Sequence, residues 1–154
     1  MKLRESLMTM AKLKSQFPNF KAVEVVALPQ FEEPGRGALG VAECGVSVPF
    51  AIARAFYLYD LPADAVRGEH AHRETHQFVI CLAGAIEASL WDRDGKRSIV
   101  LEHPATGLYV RPMTWLGLVN RSPATVCLVL ASDVYDGGDY IRDAQEFAKL
   151  ISVD

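Results

Sequence analysis

From Val23 onward the chain is a succession of short apolar runs broken by glycine, proline and polar clusters. VEVVAL, AIARAFYLYD, FVICL, AIEASLWD, RSIVLE, GLYVRP and TVCLVLASD each have strand length and are too short for a packed helix. AIEASLWD and RSIVLE flank DRDGK, where Asp94-Gly95 is a hairpin signal. EEPGRGALG and LPADAVRG read as turn-rich loops. The two ends differ. Over residues 2–16, Leu3, Leu7, Met10 and Ala11 recur at helical spacing with charges between them, and Pro18 stops the pattern. In DYIRDAQEFAKLIS, residues Tyr140, Ile141, Ala144, Phe147, Leu150 and Ile151 form a second helical stripe. Many short strands at near-regular spacing, with no helix between them, predict an all-β antiparallel sandwich or barrel. With no internal repeat or interdomain linker, the division is a helical extension over 1–22 and one domain over 23–154.

Composition narrows the function classes. The 154 residues, half of them hydrophobic, suit one sizeable core, and a formal net charge of -3 argues against nucleic acid as the main partner. No apolar run approaches the roughly 20 residues that span a bilayer, and Glu5, Lys12 and Lys14 interrupt any leader-like stretch. Of the three cysteines, Cys81 and Cys127 lie in apolar runs and none forms a CxxC pair. They read as reduced thiols of a cytoplasmic protein.

The chemistry concentrates in RGEHAHRETHQFVICLAG, residues 67–84, which holds three of the four histidines. His70 and His72 are two apart, so on a strand both imidazoles project from one face. Such a pair binds a metal, moves protons, or is a satisfied polar pair in a strand. FVICL continues as a buried strand, with Ala83-Gly84 as its turn. His76 has no assigned role and reads as structural, and His103 as a loop residue.

The order His70, His72, Gln77, Gly84 resembles the first motif of cupins, which are small jelly rolls. Metal-binding cupins carry Glu where this chain has Gln77, and a second-motif His that is missing from Pro112–Asn120. Two His plus an amide make a poor zinc or iron site. More narrowly, PGRGALG, VPFAIARAFYLYD, RGEHAH, GLYVRPMTW and VLASDVYDGGDYIRDAQEF, in that order, resemble the sugar 3,4-ketoisomerases over roughly residues 23–154. The resemblance implies a cupin jelly roll and a homodimer without metal or other cofactor. It also implies an isomerase that moves a keto group from C4 to C3 of a dTDP-4-keto-6-deoxyhexose in deoxyamino-sugar and polysaccharide biosynthesis. The family's catalytic pair maps onto His70 and His72. One departure stands out: relatives carry polar residues, often His, after the motif Trp, whereas Trp115 is followed by Leu116, Gly117 and Leu118.

A 3,4-keto shift is two proton transfers around an enediol, and histidine, with an ordinary pKa of about 6.5, suits the base. His72 is taken as that base, with His70 orienting it or assisting at oxygen. Tyr57 and Tyr59 share one face of their strand, with Arg54 on the other; a phenol near the keto oxygen donates to the enediolate, or the rings simply pack. Arg54, Arg67 and Arg111 are candidates for the diphosphate. Gln77 stands where the usual carboxylate would be, in the pocket. Trp115 stacks on a base or sugar, or fills the core. Two other classes remain open: a non-catalytic nucleotide-sugar-binding cupin and a metal-dependent cupin enzyme.

Overall fold

The structure, a computed structural model, describes residues 23–153. The extension over 1–22, with its expected helix, lies outside the described residues. The strands are β1 (Val23–Ala27), β2 (Gln30–Glu33), β3 (Gly37–Gly40), β4 (Arg54–Leu58), β5 (Val66–His72), β6 (Gln77–Ala83), β7 (Ile86–Asp92), β8 (Gly95–Leu101), β9 (Thr106–Val110), β10 (Trp115–Asn120), β11 (Val126–Ala131) and β12 (Tyr140–Ile141). Helix α1 (Ala144–Ser152) follows. The strands form two five-stranded sheets, in the orders β1-β9-β6-β11-β4 and β12-β5-β10-β7-β8, plus the small β2-β3 ladder. Every pairing between these strands is antiparallel, and the all-β sandwich expected from the apolar rhythm is what forms.

The two sheets enclose one apolar interior. Val79, Cys81, Leu108, Val110, Cys127 and Val129 come from the first sheet and Ile86, Ala88, Leu90, Ile99, Leu101, Leu116 and Leu118 from the second. Strand β7 shows the period of two: Ile86, Ala88 and Leu90 are buried, while Glu87, Ser89 and Trp91 between them are less so. Strand β6 reads as an unbroken apolar run because both its faces are covered. Val79 and Cys81 point inward, and Phe78 and Ile80 pack outward against Leu28, Val48, Tyr109 and Leu130. On the outer face of the second sheet, Phe147 of α1 is fully buried against Trp91 and Trp115, with ring centroids 5.1 and 5.6 Å away.

The histidine pair lies on a strand and Gly84, at φ 73°, makes the turn after β6, as the pattern predicts. Three expectations change. The loop over Glu32–Gly40 is a hairpin, because Gly35 and Gly37 take φ of 75° and 87° and bend β3 back along β2. In the LPADAVRG loop, Val66 to Gly68 already belong to β5. Most consequentially, Tyr140 and Ile141 do not join the C-terminal helix. Their backbones pair with His72 and Ala71 on the free edge of β5. The helix begins only after Asp143, whose carboxylate accepts from the Glu146 N–H at 2.7 Å.

Candidate active site

The histidines face the interior because of register. His70 sits opposite Leu116, an interior residue, and His72 repeats its face two positions on. The two rings meet edge-on at 5.0 Å. Tyr140, opposite His72 in the β12–β5 pairing, packs against both, at 4.4 Å from His72 and 4.7 Å from His70. From the facing sheet come Arg54, Ala131, Gln77 and Val110, one row across four strands. That row has the inward parity of Phe56, Val129, Val79 and Leu108. Arg54 and Gln77 therefore share the interior with the histidine pair, and Gln77 is buried there.

His72 is 4% exposed, and its Nδ1 lies 2.8 Å from Asp139 Oδ2. Asp139 also accepts from the Glu74 N–H at 2.7 Å. Burial opposes ionisation of Asp139, but hydrogen bonds from Thr75, Glu74 and His72 more than offset it and lower the carboxyl to about 2. An ionised carboxylate only accepts, so Nδ1 of His72 carries the proton and donates it. Its Nε2 then keeps the lone pair, and that atom is buried without a hydrogen-bond partner among the described residues. Burial pushes the His72 imidazole below 6.5; Asp139 opposes the shift, while Arg54 and Arg142 add to it. His70 is lowered as well, chiefly by burial, against a hydrogen bond to the Gly68 backbone and with help from His72, Arg142 and Arg54. Both rings are therefore neutral at pH 7, and His72 alone has a carboxylate to stabilise it once protonated.

The surroundings are cationic and aromatic. The Arg142 guanidinium lies 4.2 Å over the Tyr140 ring, and Arg54 5.6 Å over Tyr135, which is 5.5 Å from Tyr140. Neither arginine has an ion pair among the described residues, and Arg54 Nε is buried without a hydrogen-bond partner. No group of three or more His, Cys, Asp or Glu side chains among the described residues is arranged to hold a metal.

Several sequence candidates lie elsewhere. Tyr57 and Tyr59 project from the opposite face of β4 to Arg54, 63% and 60% exposed, with rings 5.9 Å apart. Their phenols do not enter the histidine cavity of this chain, because alternation along β4 assigns the inner face to Arg54, Phe56 and Leu58. Trp115 is 8% exposed beneath α1, among Ala71, Ile141 and Phe147, so it fills the outer core and stacks on no ligand. Arg111 lies 5.9 Å over the outward Tyr109 ring, away from the pair. Arg67 is exposed on β5. His76, read as structural, bonds Tyr109 Oη at 2.8 Å, and His103, in the loop between β8 and β9, accepts from Ala105 N–H at 3.1 Å. Asp139, Tyr140, Arg142 and Tyr135 are not among the site candidates read from the sequence. All four fall in ASDVYDGGDYIRD, whose density of Asp, Tyr and Gly was the available signal.

The family described as FdtA, WxcM-like, C-terminal, matches residues 21–152. A TDP-4-oxo-6-deoxy-alpha-D-glucose-3,4-oxoisomerase of Aneurinibacillus thermoaerophilus is 40% identical over 117 residues, 76% of this chain and 84% of that protein. This chain belongs to the WxcM-like sugar 3,4-ketoisomerase family. It is an isomerase. Solved structures of the ketoisomerases agree. One is a histidine-to-asparagine variant of the 3,4-ketoisomerase QdtA of Thermoanaerobacterium thermosaccharolyticum in complex with TDP-4-keto-6-deoxyglucose. It superposes with a TM-score of 0.81 at 31% identity, covering 85% of this chain and 94% of that one. WlaRB, a TDP-quinovose 3,4-ketoisomerase of Campylobacter jejuni, gives 0.78 at 35% identity over 84% and 98%. In this ketoisomerase the family match over residues 21–152 takes in the histidine pair and Asp139.

Proposed function

We propose that this chain acts on TDP-4-keto-6-deoxyglucose or a close TDP-4-keto-6-deoxyhexose, carrying its carbonyl from C4 to C3. The single observation that carries the chemistry is the unpartnered, buried Nε2 of His72, backed at Nδ1 by Asp139. The C3 proton is acidic because it lies α to the C4 carbonyl. His72 Nε2 takes it, and the imidazolium is stabilised by the ionised Asp139. O4 of the resulting enolate is protonated, O3–H gives up its proton, and the C3–O3 carbonyl forms as C4 is reprotonated from His72. His70 and Tyr140, in contact with His72, exchange the two oxygen protons. Arg54, half-buried in the same row as the buried Gln77, offers charge to the enediolate, and Gln77 offers an amide to a sugar hydroxyl.

A 3-keto sugar is what amino-group transfer at C3 requires, which supports a role in deoxyamino-sugar biosynthesis and, through it, in polysaccharide biosynthesis. The free state of Cys44, Cys81 and Cys127 supports a cytoplasmic setting. The active unit is a homodimer, a reading supported by the exposed Tyr57–Tyr59 face of the edge strand β4. Light scattering after gel filtration tests it, and a monomer mass would refute it.

The deciding experiment is proton NMR of the protein with TDP-4-keto-6-deoxyglucose in D₂O, with and without EDTA. Deuterium at C3 and the 3-keto product, unaffected by EDTA, are expected. Loss of both on chelation would point to a metal enzyme. Tight binding without exchange would support a second reading, a nucleotide-sugar-binding protein without turnover. Leu116, 4% exposed directly opposite His70, favours that reading because it presents no polar group to the sugar there.

A further inference from the structure

The buried polar atoms without a hydrogen-bond partner among the described residues include His72 Nε2 and Arg54 Nε, both groups of the active site. The hydroxyl of Thr114 is in the same condition, on a residue only 3% exposed. Most buried hydroxyls in folded proteins have a partner, so one that lacks it marks a place where a ligand or a water is met.

Register places this hydroxyl. Trp115 packs outward under α1 and Leu116 belongs to the interior, so alternation gives Thr114 the interior face. Leu116 lies opposite His70 on β5 and opposite Leu90 on β7. Two residues further along each chain, Thr114 falls between His72 and Asp92. The Met113 N–H donates to the His72 carbonyl at 2.7 Å and ties the two chains together at this end. Neighbouring strands run about 4.8 Å apart. Thr114 therefore stands one strand from the proton-accepting imidazole, on the same face.

Its neighbours are engaged elsewhere. Asp92 accepts from Arg97 and from the Asp94 N–H, each at 2.9 Å. His72 Nδ1 is held by Asp139. Of the inward residues Thr114, Leu116 and Leu118, Thr114 alone carries a polar side chain. The stretch that turns an apolar wall toward His70 thus turns a hydroxyl toward His72.

We propose that Thr114 Oγ1 is a substrate-binding group, hydrogen-bonded to an oxygen of the hexose ring beside the carbons that His72 serves. It supplies the polar contact that Leu116 does not. A hydroxyl both donates and accepts, so it serves a ring hydroxyl or a carbonyl oxygen alike. The assignment rests on the nucleotide-sugar reading and names a contact to the sugar, not to the nucleotide.

Thr114→Val removes the hydroxyl at nearly constant shape. With TDP-4-keto-6-deoxyglucose, kcat/KM falls about fivefold or more, the loss of one hydrogen bond. Calorimetric titration with TDP, which lacks the sugar, gives a Kd within twofold of wild type. The melting temperature of the free protein stays the same or rises, because an unpartnered hydroxyl has been removed. Thr114→Ser and Thr114→Ala form a second pair that differs by the hydroxyl alone, and the serine variant exceeds the alanine variant in kcat/KM by the same factor. A valine variant with kcat/KM within twofold of wild type overturns the assignment, as does equal activity of the serine and alanine variants. A parallel loss of TDP affinity overturns it too, and a melting temperature several degrees lower shows a hydroxyl bonded within the protein instead. A wild-type protein that binds the sugar nucleotide without converting it is read by its Kd for that ligand, with the same expected losses. One that neither binds nor converts it overturns the nucleotide-sugar reading together with this one.

Discussion

His72 donates from Nδ1 to Asp139 Oδ2 across 2.8 Å, although 67 positions separate them in the chain. The carboxylate fixes the tautomer, turns Nε2 toward the cavity and holds the charge that a proton-accepting imidazole acquires.

Asp139→Asn therefore loses orientation and charge together. We expect kcat to fall roughly a hundredfold, within the range for general acid–base help, and KM to change little. Deuterium incorporation at C3 in D₂O falls in parallel. Loss of KM with kcat intact would contradict the positioning role.

The pH profile follows from the two lowered imidazoles. Both titrate below 6.5, so the free base is present at neutral pH, and kcat/KM has its acid limb below 6.5 and a plateau above it. In Asp139→Asn the carboxylate's raising influence is gone, so the limb moves to still lower pH on a lower plateau. Stability has the same sign. A group whose folded pKa is depressed contributes fully above its unfolded value and loses that contribution as pH falls through the folded one. The histidines therefore cost stability as pH drops below 6.5, and Asp139 adds a further loss from about 3.8 toward about 2. Thermal melts between pH 8 and 3 read both, and His72→Asn flattens the upper part.

Tyr140 and Tyr57 separate cleanly. The Tyr140 ring touches both histidines, whereas Tyr57 projects outward from β4. Tyr140→Phe lowers kcat about tenfold or more through a lost proton donor, and Tyr57→Phe stays within about twofold. Steady-state kinetics on the two variants decide between the faces.

Trp115 is a test of packing. It sits among Trp91, Phe147 and Ile141 under α1. Trp115→Ala should cost about 3–5 kcal/mol, read from urea unfolding. Arg111→Ala should stay within about 0.5 kcal/mol and leave TDP binding unchanged.

Much of this protein was legible without coordinates. Period-two alternation and turn residues in 23–131 determine strands, because each strand buries one face and must break at glycine or an Asp-Gly turn. The i, i+2 spacing of His70 and His72 determines a shared face, since alternation is a local property of extended backbone. The motif order carried the family. Identity along one strand does not decide what stands opposite it. The apolar character of Trp115 suits a ligand platform or a core equally, and only α1 packing over it chose the core. Tyr140 and Ile141 fit a helical stripe by spacing, and only the open edge of β5, with backbone groups to satisfy, drew them into a strand. That one pairing brought Asp139, Tyr140 and Arg142 to the histidines. Local sequence determined which residues alternate and turn. The tertiary structure decided which of them meet, because edges and registers are relations between strands far apart in the chain.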